Sequence, residues 1–205
     1  MTRIALIVGS TRPGRRGSAV ARWVLDTAAT HPAVAAGRAV LDLLDVADFG
    51  LPLLDEPVPA AFGAYTHPHT HRWSAAVAAF DAYVFITPEY NHSFPAALKN
   101  ALDYLHAEWQ DKAAGFISYG TNGGTRAVEQ LRQVMGELRI ADVPTQVALS
   151  MFTDFTFTDP RDPTQPGTCT PAPHHADALD RMLKEIIAWS EALAPLRAQA
   201  QPLSA

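Results

Sequence analysis

Cysteine occurs once in these 205 residues, at Cys169, so no intrachain disulfide can form. That lone thiol has neither a C-x-x-C partner nor an arginine six residues on, which leaves little basis for a redox or phosphatase nucleophile. No stretch reaches the roughly 18 apolar residues of a membrane span. The first ten residues hold only five consecutive apolar ones, Ile4 to Val8, fewer than the apolar region of a signal peptide. Neither sign of charge dominates: 16 Lys and Arg face 21 Asp and Glu, for a net charge of −5. Nothing in that balance points to nucleic acid or an anionic membrane. The expectation is a cytoplasmic chain with neither as a partner.

What is present is an ordinary globular composition, 48% apolar and 18% charged, in a length that suits one domain over residues 1–200. Short apolar runs alternate with segments of helical spacing. Strands are expected at "IALIVGS", "AVLDLLDV" (39–46), "YVFIT" (83–87), "AGFISYG" (114–120) and "TQVALS" (145–150). Helices are expected at 17–29, 68–82, 95–108, 123–139 and 176–196. Residues 47–66 and 153–173 read as loops, the second with five Pro and six Thr. Five strand–helix alternations imply an α/β, doubly wound five-stranded parallel sheet with helices on both faces. With a Gly-Ser loop after the first strand, the flavodoxin-like order 2-1-3-4-5 is favoured. Ligands in such sheets lie beyond the carboxyl ends of the strands, at the switch between strands 1 and 3.

Three unusual loops follow strands 1, 3 and 4, so all should open on one crevice. "GSTRPGRRGS" (9–18) offers glycines, hydroxyls and Arg12, Arg15 and Arg16 at a helix start, a combination suited to a phosphate. It lacks the Lys-Ser/Thr of a Walker A loop and contains no G-x-G, so a single phosphate fits better than a triphosphate or a dinucleotide. A Gly-rich turn with solvated arginines is the plain alternative. "PEYN" (88–91) combines a fixed φ, an aromatic face and an amide, and reads equally as a flat-ring site or as a surface turn with Ser93 capping the next helix. "SYGTNGGTRA" (118–127) brings glycines where backbone can approach a ligand, or forms a tight turn capped by Thr121 or Asn122.

The stretches "GSTRPGR", "TPEYNHSFPAALKNALDYL" and "GFISYGTNGGTRAVEQLR" resemble, in order and spacing, the NADPH-dependent FMN reductase family over roughly residues 3–150. Those flavodoxin-like flavoproteins include quinone, azo-dye and chromate reductases. The resemblance implies FMN as cofactor and NADPH or NADH as electron donor. It implies that Ser10, Arg12, Gly17 and Ser18 hold the phosphate. Pro88, Glu89, Tyr90 and Asn91 would line the ring, with Gly120, Gly123 and Gly124 on its far side. It further implies a homodimer or homotetramer assembled through the "LKNALDYL" helix, and a small-molecule electron acceptor. Pro13-Gly14-Arg15-Arg16-Gly17 delays the next serine to Ser18, and His92 stands where relatives often carry a small residue. Chemistry of this kind needs no side-chain nucleophile, and no catalytic residue is assigned.

Other features carry plainer readings. His67, His69 and His71 alternate around Pro68 and read as a polar helix start rather than a metal site. Lys99 and Asp103 form an (i, i+4) pair. Trp23, Trp73 and Trp189 fall on apolar helix faces. The competing functions are an FMN-dependent NAD(P)H oxidoreductase, a flavodoxin-like electron carrier without its own NAD(P)H turnover, and a flavin-free phosphate binder.

Overall fold

The computed structural model describes residues 1–199 apart from 160 and 163, so part of the 153–173 segment and the expected domain end at 200 lie outside the described residues. The strands are β1 (Thr2–Val8), β2 (Ala39–Asp45), β3 (Ala82–Pro88), β4 (Lys112–Gly120) and β5 (Ile140–Ser150). They pair in parallel in the order β2-β1-β3-β4-β5. β3 and β4 are buried along their whole length, as strands sandwiched between two helical layers must be. β2 and β5, at the edges, mix buried and open positions.

Alternate side chains of the sheet feed two cores. On one face Ile4, Leu6, Val8, Val84 and Ile86 pack with α1 (Gly17–Ala28) and α6 (Pro173–Gln199). On the other, Ala5, Ile7, Tyr83, Phe85 and Phe116 pack with α3 (Pro68–Ala78), α4 (Ala96–Asp103) and α5 (Thr125–Glu137). A one-turn helix, α2 (Pro32–Ala35), precedes β2. Trp73 is fully buried and its indole N–H donates to the Ala101 carbonyl at 2.7 Å, joining α3 to α4.

Several elements differ from expectation. α4 ends at Asp103 instead of running to Glu108. Glu108 accepts hydrogen bonds from Tyr65, Ser74 and the His106 N–H, which draws the chain into a short 3-10 turn at Ala107–Trp109. Residues 153–173, read as a loop, contain two short antiparallel strands, β6 (Phe155–Thr156) and β7 (Thr168–Cys169). Trp189 is 41% exposed rather than core.

A cavity of about 720 Å³ lies at the amino ends of β3 and β4, away from the three loops. It is lined by charged groups that include Asp81, Glu108, Lys112 and Arg197. Lys112 donates to the Tyr83 hydroxyl at 2.9 Å and the Val77 carbonyl at 3.3 Å, both neutral. Burial, with repulsion from Arg197, pushes its ammonium down to about 8. The unfolded chain therefore holds a proton that the folded chain releases between about pH 8 and the ordinary lysine value near 10.4, so Lys112 favours folding more as pH rises through that window. Lys112→Met is expected to stabilise the protein at pH 7 by roughly 2 kcal/mol. The advantage should shrink at pH 9.5, which denaturant unfolding at the two pH values would read.

Candidate functional site at the carboxyl edge of the sheet

The carboxyl ends of β1, β3 and β4 lead into residues 9–18, 89–93 and 121–126, and side chains tie the three segments together. Ser10, buried, lies 2.9 Å from the Tyr90 hydroxyl. Glu89 accepts the Arg126 N–H at 3.2 Å and forms an ion pair with its guanidinium. The Glu89 N–H donates to the Tyr119 carbonyl at 3.2 Å, extending the β3–β4 ladder by one bond. The Tyr119 hydroxyl lies against Gly17, where a β-carbon would approach it to 3.4 Å. The three loops expected from topology to share one edge are therefore joined in space.

The structure sorts the three arginines of the first loop. Arg15 is paired with Asp45 at the end of β2, and Asp45 also accepts the Ala47 N–H at 3.0 Å. Arg16 stacks on Phe157, its guanidinium carbon 4.9 Å from the ring centroid. The Arg12 side chain is exposed and makes no hydrogen bond or ion pair among the described residues. Burial, and then the charge of Arg12, lower the pKa of Arg16. Buried Nε–H donors of Arg15, Arg16 and Arg126 have no acceptor among the described residues. The N–H groups of Ser10 and Thr11 have no partner among the described residues. α1 opens with no side-chain cap and no acid in its first turn. Cations crowded together beside the positive end of an uncapped helix suit an anion.

The second loop is a two-residue reverse turn. Tyr90 and Ser93 exchange backbone hydrogen bonds at 2.8 and 3.1 Å, with φ of +50° at Asn91 and +74° at His92, the signature of a type I′ turn. This geometry holds the Tyr90 ring 37% exposed and leaves the Asn91 amide at the surface without a protein partner among the described residues. Ser93 does not cap α4, as the sequence suggested. Its hydroxyl donates to Gln130 at 2.5 Å, and Gln130 donates in turn to the His92 carbonyl at 2.9 Å, fastening the turn to α5. A β-carbon at the φ of His92 costs about 1–2 kcal/mol, while glycine loses about 0.5–1 kcal/mol more chain entropy on folding. His92→Gly should therefore stabilise the fold by about 0.5 kcal/mol, seen as a small rise in melting temperature.

In the third loop, neither Thr121 nor Asn122 caps α5. The cap position is Gly124, and the Arg126 N–H two residues on is satisfied from the second loop by Glu89. Gly124 has φ of +69°, and a β-carbon there would stand 2.9 Å from the Tyr119 backbone. The Gly123–Gly124 pair thus shapes the turn itself, while Gly120 lies nearest the second loop, with a β-carbon position 3.6 Å from that of Glu89. Asp45, Tyr119 and Arg126 were not among the expected participants. Each acts across neighbouring strands, so only the strand order and register reveal it; the one local cue is Arg126 directly following Gly-Gly-Thr.

The sequence profile of the family described as NADPH-dependent FMN reductase matches residues 2–154. An NAD(P)H-dependent FMN reductase of Nectria sp is 43% identical over 154 residues, covering 73% of this chain and 75% of its own. One from Schizosaccharomyces pombe is 34% identical over 191 residues, covering 92% and 89%. Among solved structures, the flavoenzyme NAD(P)H:(acceptor) oxidoreductase of Paracoccus denitrificans superposes with a TM-score of 0.69 at 22% identity, over 94% of this chain and 98% of that one, and so shares the fold. With all three loop motifs inside the matched region and paired in space as described, the chain belongs to the NADPH-dependent FMN reductase family.

Proposed function

We propose that the three loops hold one FMN, with its phosphate on residues 10–18 and its ring beside residues 88–91 and Gly120. Through it the chain passes electrons from NADPH or NADH to a small acceptor such as a quinone, free flavin, an azo compound or a metal oxyanion. The observation that carries this reading is the set of uncommitted donors in the first loop among the described residues: the free side chain of Arg12 and the open N–H groups of Ser10 and Thr11. They fit a phosphate dianion. The exposed Tyr90 ring, the unpaired Asn91 amide and the close approach at Gly120 fit a flat ring with a polar edge.

When bound, FMN supplies the redox chemistry, accepting hydride from nicotinamide and returning electrons to the acceptor. The chain's own residues bind and orient. Arg12, the Ser10 N–H and the Ser18 hydroxyl grip the phosphate, and Gly17 keeps the start of α1 open beside it. Pro88 to Asn91 set the plane of the ring through a turn whose shape is fixed by the Tyr90–Ser93 bonds. The Glu89 carboxylate, engaged with Arg126, is a positioning group rather than a base. Gly120 meets the ring's far side, and Gly123 and Gly124 hold that backbone in place.

The chain is proposed to act in the cytoplasm, as one domain over residues 1–200 and as a homodimer or homotetramer. No helix among the described residues is long and apolar enough to cross a membrane. Assembly through α4 is supported by the exposed Leu53 and Leu54 beside it. Their segment is held to α4 by Asn100, which accepts the Leu54 N–H at 2.9 Å and donates to the Pro52 carbonyl at 2.6 Å. Purified protein loaded with FMN should oxidise NADPH continuously when given a quinone. Binding of FMN without such turnover would reduce the chain to an electron carrier.

A further inference from the structure

The hairpin β6–β7 lies outside residues 2–154, the part of the chain that the family profile covers, yet its contacts run back to the first loop. Phe155 lies on Tyr119, ring centroids 6.2 Å apart, and Phe157 stacks beside Phe155 at 6.5 Å. Phe157 in turn presents its face to Arg16. A second contact meets the tip of the loop: Gly14 has φ of +68°, and a β-carbon there would stand 2.2 Å from the Thr164 carbonyl oxygen. The hairpin is itself anchored at its base. Buried Asp154 accepts the Ser150 N–H at 2.7 Å and the Ala172 N–H at 3.4 Å and lies 3.4 Å from the His175 imidazole. Its own carbonyl accepts the Thr170 N–H at 2.9 Å.

We propose that this hairpin is a clamp on the phosphate loop, and that Phe157, by holding Arg16, keeps FMN resident through successive turnovers instead of exchanging as a dissociable substrate. The inference rests on the FMN reading above and adds a property which that reading does not require. The Arg16–Phe157 contact and the Gly14–Thr164 approach support it, and the charge environment of Arg16 agrees. Burial and the neighbouring charge of Arg12 disfavour the cationic form of Arg16, and the face of Phe157 offsets part of that cost. Free of the ring, the Arg16 side chain and the loop backbone at Arg16, the residue directly before α1, would sample other positions. A phosphate site built from backbone N–H groups loses affinity when its backbone is not fixed in advance. Phe157 is thus a positioning residue, acting through Arg16.

The test compares wild type, Phe157→Ala and Phe157→Tyr as FMN-loaded protein. FMN release after dilution is followed by the recovery of flavin fluorescence, and the melting temperature of each apoprotein is measured alongside. The clamp predicts release about ten-fold faster in Phe157→Ala, near-wild-type release in Phe157→Tyr, which keeps the aromatic face, and apoprotein melting temperatures that differ by far less than this ratio implies. It also predicts faster tryptic cleavage after Arg15 or Arg16 in the Phe157→Ala apoprotein, a readout independent of flavin. Equal release rates in wild type and Phe157→Ala overturn the clamp while leaving the FMN site standing. Failure of wild type to bind FMN overturns the site, and the clamp with it. If Phe157→Ala does not fold, Arg16→Met serves in its place: it retains the aliphatic stem and removes the cation that Phe157 holds, and unchanged release there would equally overturn the proposal.

Discussion

Glu89→Ala is expected to lower the stability of the fold by about 3 kcal/mol. Two losses combine. The part-buried Arg126 N–H, in the first turn of α5, loses its acceptor, at a cost toward the low end of the about 1–3 kcal/mol of a fully buried unpaired donor. The guanidinium also loses its ion-pair partner. The Glu89 side chain is only 8% exposed, but that of Arg126 is 41% exposed. The stranded cation can therefore turn to water, and the cost stays at the low end of the range for a broken buried pair. Glu89→Gln should recover roughly half of the loss, because an amide oxygen can still accept the Arg126 N–H while the charge is gone. Urea unfolding of the three proteins at neutral pH reads both values. A stability change below about 1 kcal/mol for Glu89→Ala would show that the second and third loops are held together by something other than this carboxylate.

Arg12→Ala should weaken FMN binding by about 30-fold and leave the stability of the apoprotein almost unchanged. The two halves of the prediction have one cause. The Arg12 side chain is exposed and makes no hydrogen bond or ion pair among the described residues, and truncation to alanine keeps the backbone bonds to Ser10 and Arg15, so its removal breaks nothing in the folded state. A charge-assisted bond from guanidinium to phosphate is worth about 1.5–3 kcal/mol, which gives the factor. Arg15→Ala makes the contrast. Its guanidinium is spent on Asp45, so its loss should register chiefly as reduced stability. Fluorescence titration of FMN into the two variants, with thermal melts of both, separates the roles.

The sheet was legible in the sequence because its central strands are short apolar runs bounded by Gly, Ser and Pro, and because helical spacing returns between them. Strand order followed from right-handed crossovers, and strand order alone places "GSTRPGR", "PEYN" and "YGTNGG" at one edge. The contacts inside the crevice were not legible. Ser93 and Thr121 or Asn122 are ordinary helix-capping candidates by position, yet the donor at the start of α5 goes to Glu89, 37 residues away. Local propensity cannot see an acceptor delivered by a neighbouring strand. The roles of the three arginines were likewise hidden, since Asp45 and Phe157 reach Arg15 and Arg16 only through the folded topology. The 153–173 segment read as a loop from its prolines and threonines, and its two strands are only two residues long each, below what alternation in a sequence can signal.

The measurement that bears most directly on the central claim is a parallel titration of the apoprotein with FMN and with riboflavin, which share a ring and differ by the phosphate. If the first loop holds the phosphate and the other two hold the ring, FMN binds once per chain and about 100-fold or more tighter than riboflavin. In Arg12→Ala most of that preference disappears. Equal affinity for the two flavins, or no binding of either, would contradict the account.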